Sequence, residues 1–301
     1  MDHGDFNPVP GIAEQLAPGL QRILAPNPSP MTWRGTNTYV LGADRVVVVD
    51  PGPLDAAHLD ALTRALDGRT ISDIIVTHSH LDHSPLAPRL ASLTGAPVLA
   101  FGDSREGRSA VMSRLAAEGY AGGGEGIDHG FQPDRTIADG QILDTPAGPI
   151  GVMHTPGHMG NHICLTWHDA VFTGDLVMGW ATSLVSPPDG DVTDFIASCR
   201  KLQDFGAATF YPGHGAPIGD PAGRLDWLIA HRLSRRDQVL EALSDNALTV
   251  EQLTALIYAD VADALWPAAA RNVFAQLIEL HEAGEITAKP RLNAQAVFER
   301  M

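Results

Sequence analysis

One short segment constrains this chain more than any other. The apolar run Ile74 to Val76 predicts a buried β-strand, and directly after it come His78, His80, Asp82 and His83, in the pattern His-x-His-x-Asp-His. Residues two apart in an extended segment share a face, so the first two imidazoles can reach one metal ion together. The other two side chains lie in the turn beyond, where they can face a second ion. By chance this pattern arises on the order of a few times in a thousand such sequences, which weighs against a merely solvated His-rich loop.

Three further ligand candidates each follow a predicted strand at a turn containing glycine. They occur as Thr-Pro-Gly-His158, Phe-Thr-Gly-Asp175 and Tyr-Pro-Gly-His214. Such turns let the backbone raise a side chain at a strand end. Taken alone, each of these residues could simply stand in a turn, with its polar side chain hydrogen-bonded to the protein. Together the seven side chains suffice for two metal ions that share one carboxylate, and imidazole and carboxylate suit borderline divalent metals.

The first two thirds of the chain alternate short β-type runs with helical stretches and turns. This mixture predicts an α/β fold of layered sheets with helices outside. The Gly122-Gly-Gly124 stretch predicts a loop; it is not a phosphate-binding loop, because no strand precedes it and no Lys-Ser/Thr follows. The predicted strands are 38–41, 45–49, 74–76, 98–100, 150–153, 163–165, 170–172 and 209–211, and the predicted helices are 55–65, 85–93, 105–118 and 192–205.

The character of the sequence changes near residue 220. Three helices are predicted at 225–243, 249–258 and 267–283, followed by a small hairpin over 285–288 and 294–298. Three helices and then a hairpin is the order of a winged helix. We therefore predict two domains: a catalytic domain over residues 1–220 and a winged-helix-like domain over residues 221–301.

The order of these motifs resembles that of the metallo-β-lactamase-fold hydrolases, over roughly residues 18–219. Asp50 closes an early strand, and the ligand candidates then follow in the family's order. The resemblance implies an αββα sandwich with the site along one edge. It also implies that Asp50 orients ligands rather than binding metal. The implied ligands are His78, His80 and His158 for metal 1, Asp82, His83 and His214 for metal 2, and Asp175 as the bridge.

Two details indicate which subgroup of this family the chain resembles. A bridging aspartate is the glyoxalase II pattern, whereas many true β-lactamases carry cysteine there, which argues against antibiotic hydrolysis. The segments Gly157-His-x-x-x-His162 and Gly174-Asp-Leu-Val-Met-Gly179, with the tail from His231, look like the β-lactamase-like protein 2 subgroup, which adds a C-terminal winged helix. That subgroup includes an endoribonuclease, and similar fungal enzymes release polyketides as thioesterases. Glyoxalase II itself is disfavoured, because its helical, basic tail does not align here.

The expected mechanism is attack by a metal-bound hydroxide on an ester or thioester of a small acyl group. Two divalent ions, zinc first with iron or manganese as alternatives, would lower the pKa of a water and polarise the substrate. Asp82 or Asp175 would accept the proton. His162 would either contact the substrate or leaving group or be a packed residue, and the sequence favours neither alternative over the other. In the loop 178–190, Trp180, Thr182 and Ser183 are expected to contact substrate, with a plain connecting loop as the alternative.

Charge separates the functional hypotheses. The formal net charge of −16 repels phosphate backbones. Residues 221–301 carry eight Lys/Arg against eleven Asp/Glu, a net of −3, and the predicted recognition helix has Arg271 as its only cation. We therefore expect a packing or dimerisation element there. Metal-dependent cleavage of single-stranded RNA remains an alternative, supported by a small basic patch at Arg232, Arg235 and Arg236. A winged-helix nucleic-acid-binding regulator with a vestigial hydrolase domain is a third, although it leaves seven intact ligands unexplained.

The remaining features concern location. The first five residues lack a basic or apolar signal region, so no signal peptide is expected. The longest apolar runs are too short to cross a bilayer. Two cysteines, Cys164 and Cys199, cannot form a disulfide framework. We expect a cytoplasmic protein with a small-molecule substrate and no membrane association, and a homodimer is left open.

Overall fold

The computed structural model of the protein describes residues 6–121 and 126–301, and the predicted Gly122–Gly124 loop lies outside them. The described helices are α1 (Ala56–Leu66), α2 (Ala87–Thr94), α3 (Ala110–Ala117), α4 (Val192–Phe205), α5 (Pro221–Ala242), α6 (Val250–Ile257) and α7 (Trp266–Glu282), with a short 3₁₀ helix at Asp263–Leu265. The described strands are β1 (Ala13–Ala17), β2 (Leu20–Leu24), β3 (Asn37–Gly42), β4 (Arg45–Val49), β5 (Thr70–Ile75), β6 (Val98–Ala100), β7 (Arg135–Thr136), β8 (Ile142–Thr145), β9 (Gly148–His154), β10 (Ile163–Trp167), β11 (Ala170–Gly174), β12 (Thr209–Pro212), β13 (Leu248–Thr249), β14 (Ile286–Lys289) and β15 (Val297–Arg300).

The strands form a seven-stranded sheet in the order β1-β2-β3-β4-β5-β6-β7, a five-stranded sheet in the order β12-β11-β10-β9-β8, and a three-stranded sheet in the order β13-β15-β14. In the first sheet β4 to β7 run parallel, and in the second β11 and β12 run parallel. Parallel strands end at the same edge of a sheet. The segments that leave β5, β11 and β12 therefore emerge where side chains from both sheets can meet.

The two larger sheets pack face to face, as the alternation along β4 shows. Val47 and Val49 belong to the core shared with the five-stranded sheet, whereas Val46 and Val48 belong to the core under α1 and α2. This period of two is what a strand buried on both faces requires. On the far side, Phe195 of α4 and Leu228 of α5 cover the five-stranded sheet. The predicted αββα sandwich is confirmed.

The three-stranded sheet, α6 and α7 form the C-terminal winged helix that the sequence predicted. Thr249 caps α6 in a capping box, with its side chain accepting from the Gln252 amide while the Gln252 side chain accepts from the Thr249 amide. Phe274 and Phe298 lie in the core of this region, and Met112 of α3 packs into the same core. α5 links both regions, since its first half packs on the five-stranded sheet and its last turns pack here. The domain boundary near residue 220 stays a prediction.

One hairpin was missed, and the start of one predicted helix was wrong. The β1–β2 hairpin was not predicted, because the outward side chains of β1 are polar and give little apolar signal. The helix predicted from residue 105 begins only at Ala110, since Gly107 has a left-handed φ of 74° and the Ser109 side chain caps the helix. No helix in the described part of the chain combines the length and apolar character that a bilayer crossing requires.

Candidate metal centre

The seven predicted ligands do come together at the strand ends. The segment after β5 carries His78, His80, Asp82 and His83, the turn between β9 and β10 carries His158, and the segments after β11 and β12 carry Asp175 and His214. Their ligand atoms form two groups, each with all atoms within 4.8 Å of one another. The first group is His78, His80, His158 and Asp175; the second is Asp82, His83, Asp175 and His214.

In the first group three imidazoles face a common point. His80 Nδ1 lies 3.0 Å from His78 Nε2 and 3.1 Å from His158 Nε2. His158 Nε2 is 3.8 Å from Asp175 Oδ2. His80 Nδ1 has either one proton or one lone pair, so a hydrogen bond can join it to only one of the two other imidazole nitrogens at a time. A cation between them would use all their lone pairs.

In the second group two imidazoles alternate with two carboxylates. His214 Nε2 lies 3.1 Å from Asp82 Oδ2 and 3.2 Å from Asp175 Oδ2. His83 Nε2 is 3.4 Å from both His214 Nε2 and Asp175 Oδ1. Asp175 therefore belongs to both groups. Its Oδ1 atom is buried and has no hydrogen-bond partner among the residues that the structure describes, which is the situation of a carboxylate oxygen reserved for a cation.

The other ring nitrogen of most of these histidines is held by a fixed partner. His158 Nδ1 lies 2.8 Å from the Leu184 carbonyl, and His214 Nδ1 lies 3.0 Å from the Gly35 carbonyl. A carbonyl only accepts, so both Nδ1 atoms carry a proton, and Nε2 is left as the atom that would give its lone pair to a metal ion at the centre. The donor set and its tautomers therefore fit a divalent metal ion.

The two ligand groups differ in the pKa values and charge of their side chains. Burial, helped by the neighbouring histidines, lowers the pKa of His78 well below its ordinary range and that of His80 to about 3. Burial acts in the same direction on His214, but the carboxylates of Asp175 and Asp82 outweigh it and raise its pKa to about 10. The first group is thus a cluster of neutral imidazoles, and the second is dominated by carboxylate charge.

Comparison with known proteins agrees with this geometry. Residues 31–214 match the Metallo-beta-lactamase superfamily, and residues 249–291 match the Beta-lactamase associated winged helix domain. The chain belongs to the metallo-beta-lactamase superfamily. A Beta-lactamase-like protein 2 homolog from Drosophila melanogaster is 30% identical to it, over 92% of this chain and 92% of that protein. An Atrochrysone carboxyl ACP thioesterase from Claviceps purpurea is also 30% identical, over 83% of this chain and 75% of that protein.

Solved structures of the superfamily share the fold over almost the whole chain. A metallo-beta-lactamase family protein from Thermus thermophilus has a TM-score of 0.75 at 24% identity, covering 95% of this chain and 100% of its own. A beta-lactamase domain protein from Burkholderia ambifaria has a TM-score of 0.80 at 21% identity, covering 99% and 96%. The chain is a hydrolase of the metallo-beta-lactamase superfamily with His/Asp clusters suited to a metal site.

Asp50 belongs to neither group of ligands and lies behind His83 of the second group. It has a left-handed φ of 50° and is buried. Its Oδ1 accepts from the Thr77 amide at 2.7 Å, and its Oδ2 accepts from the Thr77 hydroxyl at 2.8 Å and faces His83 Nδ1 at 2.9 Å. This is the place that an orienting residue would occupy, and that role stays a prediction.

His162 packs against the backbone of Asp175. It is fully buried, with Nδ1 3.0 Å from the Thr155 hydroxyl and Nε2 accepting from the Asp175 amide at 3.2 Å. Because both ring nitrogens have protein partners, the expectation of direct contact with substrate or leaving group is not supported by this placement. The geometry favours the alternative of a packed histidine, one that holds the backbone of Asp175 from below.

The three residues predicted to contact substrate differ in their surroundings. Ser183 is buried, and its hydroxyl lies 2.5 Å from the Asp175 carbonyl and 2.8 Å from the Leu176 carbonyl, so its one proton is directed to the backbone. Thr182 is half-buried, and its role stays a prediction. Trp180 stacks on Trp33 with ring centroids 5.5 Å apart. This placement does not favour a substrate contact for Ser183, and its role, like that of Trp180, stays a prediction.

Sequence reasoning missed Trp33. A side chain added at Gly215, the neighbour of His214, would come within 2.7 Å of Trp180 and 3.5 Å of Trp33. Phe6 continues the aromatic row, 5.3 Å from Trp33. The tryptophan pair therefore forms a wall directly beside the ligand His214. No local sequence signal marked Trp33, because its place beside the site depends on the contact between the Gly35 carbonyl and the His214 ring, 179 residues apart.

Proposed function

We propose that this hydrolase uses a binuclear metal centre, most simply of zinc, to hydrolyse an ester or thioester of a small acyl substrate. The observation that carries the proposal is the pair of four-residue ligand groups that share Asp175. Support for the substrate class comes from relatives named as atrochrysone carboxyl ACP thioesterases. The first ion would be held by His78, His80 and His158, the second by Asp82, His83 and His214, and Asp175 would contact both.

When bound, such ions supply Lewis acidity, which lowers the pKa of a water and polarises an acyl carbonyl. The chain itself must then accept a proton. Asp82 suits that role better than Asp175, since its side chain is 25% exposed against 9% and can pass the proton to solvent. Burial would raise the pKa of Asp82, but the charges of His83 and His214 outweigh burial and keep it below its ordinary value. The carboxylate is therefore ionised at neutral pH, and because its low pKa makes it a weak base, it would pass a proton on to solvent rather than keep it.

The Trp33–Trp180 wall supports an acyl group with apolar or aromatic character. Flat aromatic surface next to a polar centre gains from burying an apolar group while the carbonyl points at the metal ligands. Leu81, inside the His-x-His-x-Asp-His segment, is half exposed and adds apolar surface beside the ligands. We propose that Trp180 contacts the acyl group, as the sequence predicted, and that Trp33 contacts it as well.

The two nucleic-acid alternatives find no specific support. The expected basic patch does not form: Arg232 is buried, Arg235 lies over the Tyr258 ring, and Arg236 pairs with Glu279 and Glu285. The helix α7 buries eight of its residues, including Phe274 and Leu277, inside the protein. The face of α7 that stays outside the core carries Arg271 as its only cation, and the module lacks the clustered cations that phosphate binding needs.

The decisive experiment compares metal-loaded wild type with Asp175→Ala on aryl esters, acyl thioesters and labelled single-stranded RNA. We expect thioester hydrolysis by the wild type and a loss of at least about a hundredfold in the variant, because one carboxylate serves both groups. Asp144→Ala, at an exposed position on β8, is the matched control and should behave as wild type. Activity of Asp175→Ala within tenfold of wild type would exclude the site. Rapid metal-dependent RNA cleavage with inert thioesters would reverse the choice of substrate.

A further inference from the structure

The loop over residues 178–185, between Asp175 and α4, is held by the C-terminal helices. Arg224 of α5 donates from Nε to the Met178 carbonyl at 2.7 Å and from Nη2 to the Ala181 carbonyl at 2.5 Å. Further along α5, Arg232 donates from Nη2 to the Ser183 carbonyl. Three carbonyls of one loop are therefore satisfied by two arginines of one helix.

A third residue closes the arrangement from α7. Asn272 Oδ1 accepts from Arg232 Nη1 at 3.1 Å and from the Val185 amide at 3.2 Å. Arg232 and Asn272 thus bind each other and the two residues that flank Leu184. The position of the Leu184 carbonyl is fixed from both sides by groups of the C-terminal helices.

The 178–185 loop in turn holds two of the proposed ligands. The Leu184 carbonyl is the partner of His158 Nδ1 at 2.8 Å, and the Ser183 hydroxyl donates to the Asp175 carbonyl at 2.5 Å. Each ligand is therefore one hydrogen bond away from the loop, and the loop is one hydrogen bond away from Arg232 or Asn272. Partners of this kind decide the orientation and tautomer of a metal-binding imidazole.

The position of Arg232 has a cost in folding free energy, because its charged side chain is buried. Its side chain is 2% exposed, and its guanidinium lies 4.9 Å from the centre of the Phe195 ring. Burying a guanidinium costs free energy unless hydrogen bonds compensate the lost hydration. A lysine cannot replace it, because only the planar guanidinium donates in two fixed directions, here to a carbonyl and to an amide oxygen. For packing alone, an apolar side chain of similar volume would cost less.

We propose that Arg232 and Asn272 are positioning residues, through which the C-terminal winged-helix region sets the orientation of His158 and Asp175. This inference rests on the proposed metal centre at those residues. It gives the C-terminal region a role in the chemistry that needs no nucleic acid. Removing either side chain should weaken metal binding even though neither residue touches a ligand.

The test uses the full-length protein and measures zinc affinity by chelator competition and the absorption spectrum of the cobalt-loaded protein. In Arg232→Met and Asn272→Leu we expect zinc affinity to fall about 10- to 100-fold and the cobalt spectrum to change, as for other groups that orient ligands. Asn272→Asp keeps an acceptor for Val185 and Arg232, so it should restore both readouts. Arg235→Met, on the same helix but bound to Tyr258 and the Ile257 carbonyl, should leave both unchanged.

A structural role alone would give a different pattern. If Arg232→Met and Asn272→Leu only lower the thermal unfolding temperature, while zinc affinity and the cobalt spectrum equal those of wild type, the positioning role is wrong and the proposed function survives. If Arg232→Met does not fold, the contrast between Asn272→Leu and Asn272→Asp decides. Wild-type protein that binds no zinc or cobalt would overturn the metal centre and this inference together.

Discussion

Replacing Asp50 by asparagine tests how the second ligand group is oriented. Asp50 faces three donors in this structure: the Thr77 amide, the Thr77 hydroxyl and His83 Nδ1. Asparagine has nearly the same shape but offers one acceptor oxygen. The Thr77 amide hydrogen cannot move, so the asparagine oxygen must stay with it. The new NH₂ group then faces the Thr77 hydroxyl and His83.

The consequence falls on the tautomer of His83. To accept from an NH₂ group, Nδ1 must lose its proton, and the proton then sits on Nε2, the atom that faces Asp175 and His214. An imidazole protonated there cannot bind a metal ion. For loss of an orienting partner we expect zinc affinity to fall about 10- to 100-fold, or about 1.4–2.8 kcal/mol. A poorly matched buried donor should also cost about 1–3 kcal/mol of unfolding free energy.

Chelator competition measures the affinity and urea unfolding measures the stability, with Asp60→Asn, at an exposed position on α1, as the matched control. The reasoning requires both quantities to change in Asp50→Asn and neither in the control. Wild-type zinc affinity in Asp50→Asn, with or without a loss of stability, would show that Asp50 supports only the turn at Thr77 and does not set the tautomer of His83.

Two further predictions concern stability. Burial lowers the pKa of His58 from its ordinary value of 6.5 to about 4, so on acidification the unfolded chain takes up the proton first. Lowering the pH from 6.5 to 4 should therefore reduce the free energy of unfolding by up to about 3 kcal/mol. In urea unfolding, His58→Gln should lose this part of the pH dependence, and pH profiles parallel to those of wild type would contradict the prediction. Gly157 has a φ of +137°, and a side chain there would approach the Phe195 backbone to 2.3 Å. Gly157→Ala should therefore cost about 1–3 kcal/mol or more and disturb the adjacent His158, whereas Gly219→Ala, which meets nothing within 4 Å, should be neutral by calorimetry.

The parts of the fold that the sequence predicted best carry local signals. The β-branched run Val46 to Val49 and the capping residue Thr249 each determine structure within a few residues, and α4 has the predicted bounds. The ligand cluster could be predicted for a related reason: a strand end followed by a Gly turn fixes where a side chain emerges. Three ligands stand at such turns and four follow β5 directly, and seven side chains of matching chemistry at strand ends leave few other arrangements.

What the sequence did not predict depends on partners far away along the chain. Arg232 was expected at the surface but contacts Ser183, 49 residues away, and the partner that orients His214 is Gly35, 179 residues away. The sequence left open whether the ring of His162 and the hydroxyl of Ser183 contact substrate or pack in the protein, and in the structure both contact the backbone of Asp175. Residue type indicates that a polar group needs a partner, but only the packing of the sheets decides which partner it finds.

The difference between the two ligand groups bears on the choice of metal, which composition alone left open. His78, His80 and His158 are surrounded mainly by one another, so their pKa values fall below the ordinary range. His83 and His214 sit among the carboxylates of Asp82 and Asp175, which raise their pKa values. Imidazole-rich sites suit zinc, whereas added carboxylates suit harder ions such as manganese. We therefore expect the first group to select zinc more strongly than the second, because three neutral imidazoles leave the shared Asp175 as its one carboxylate while the second group adds Asp82.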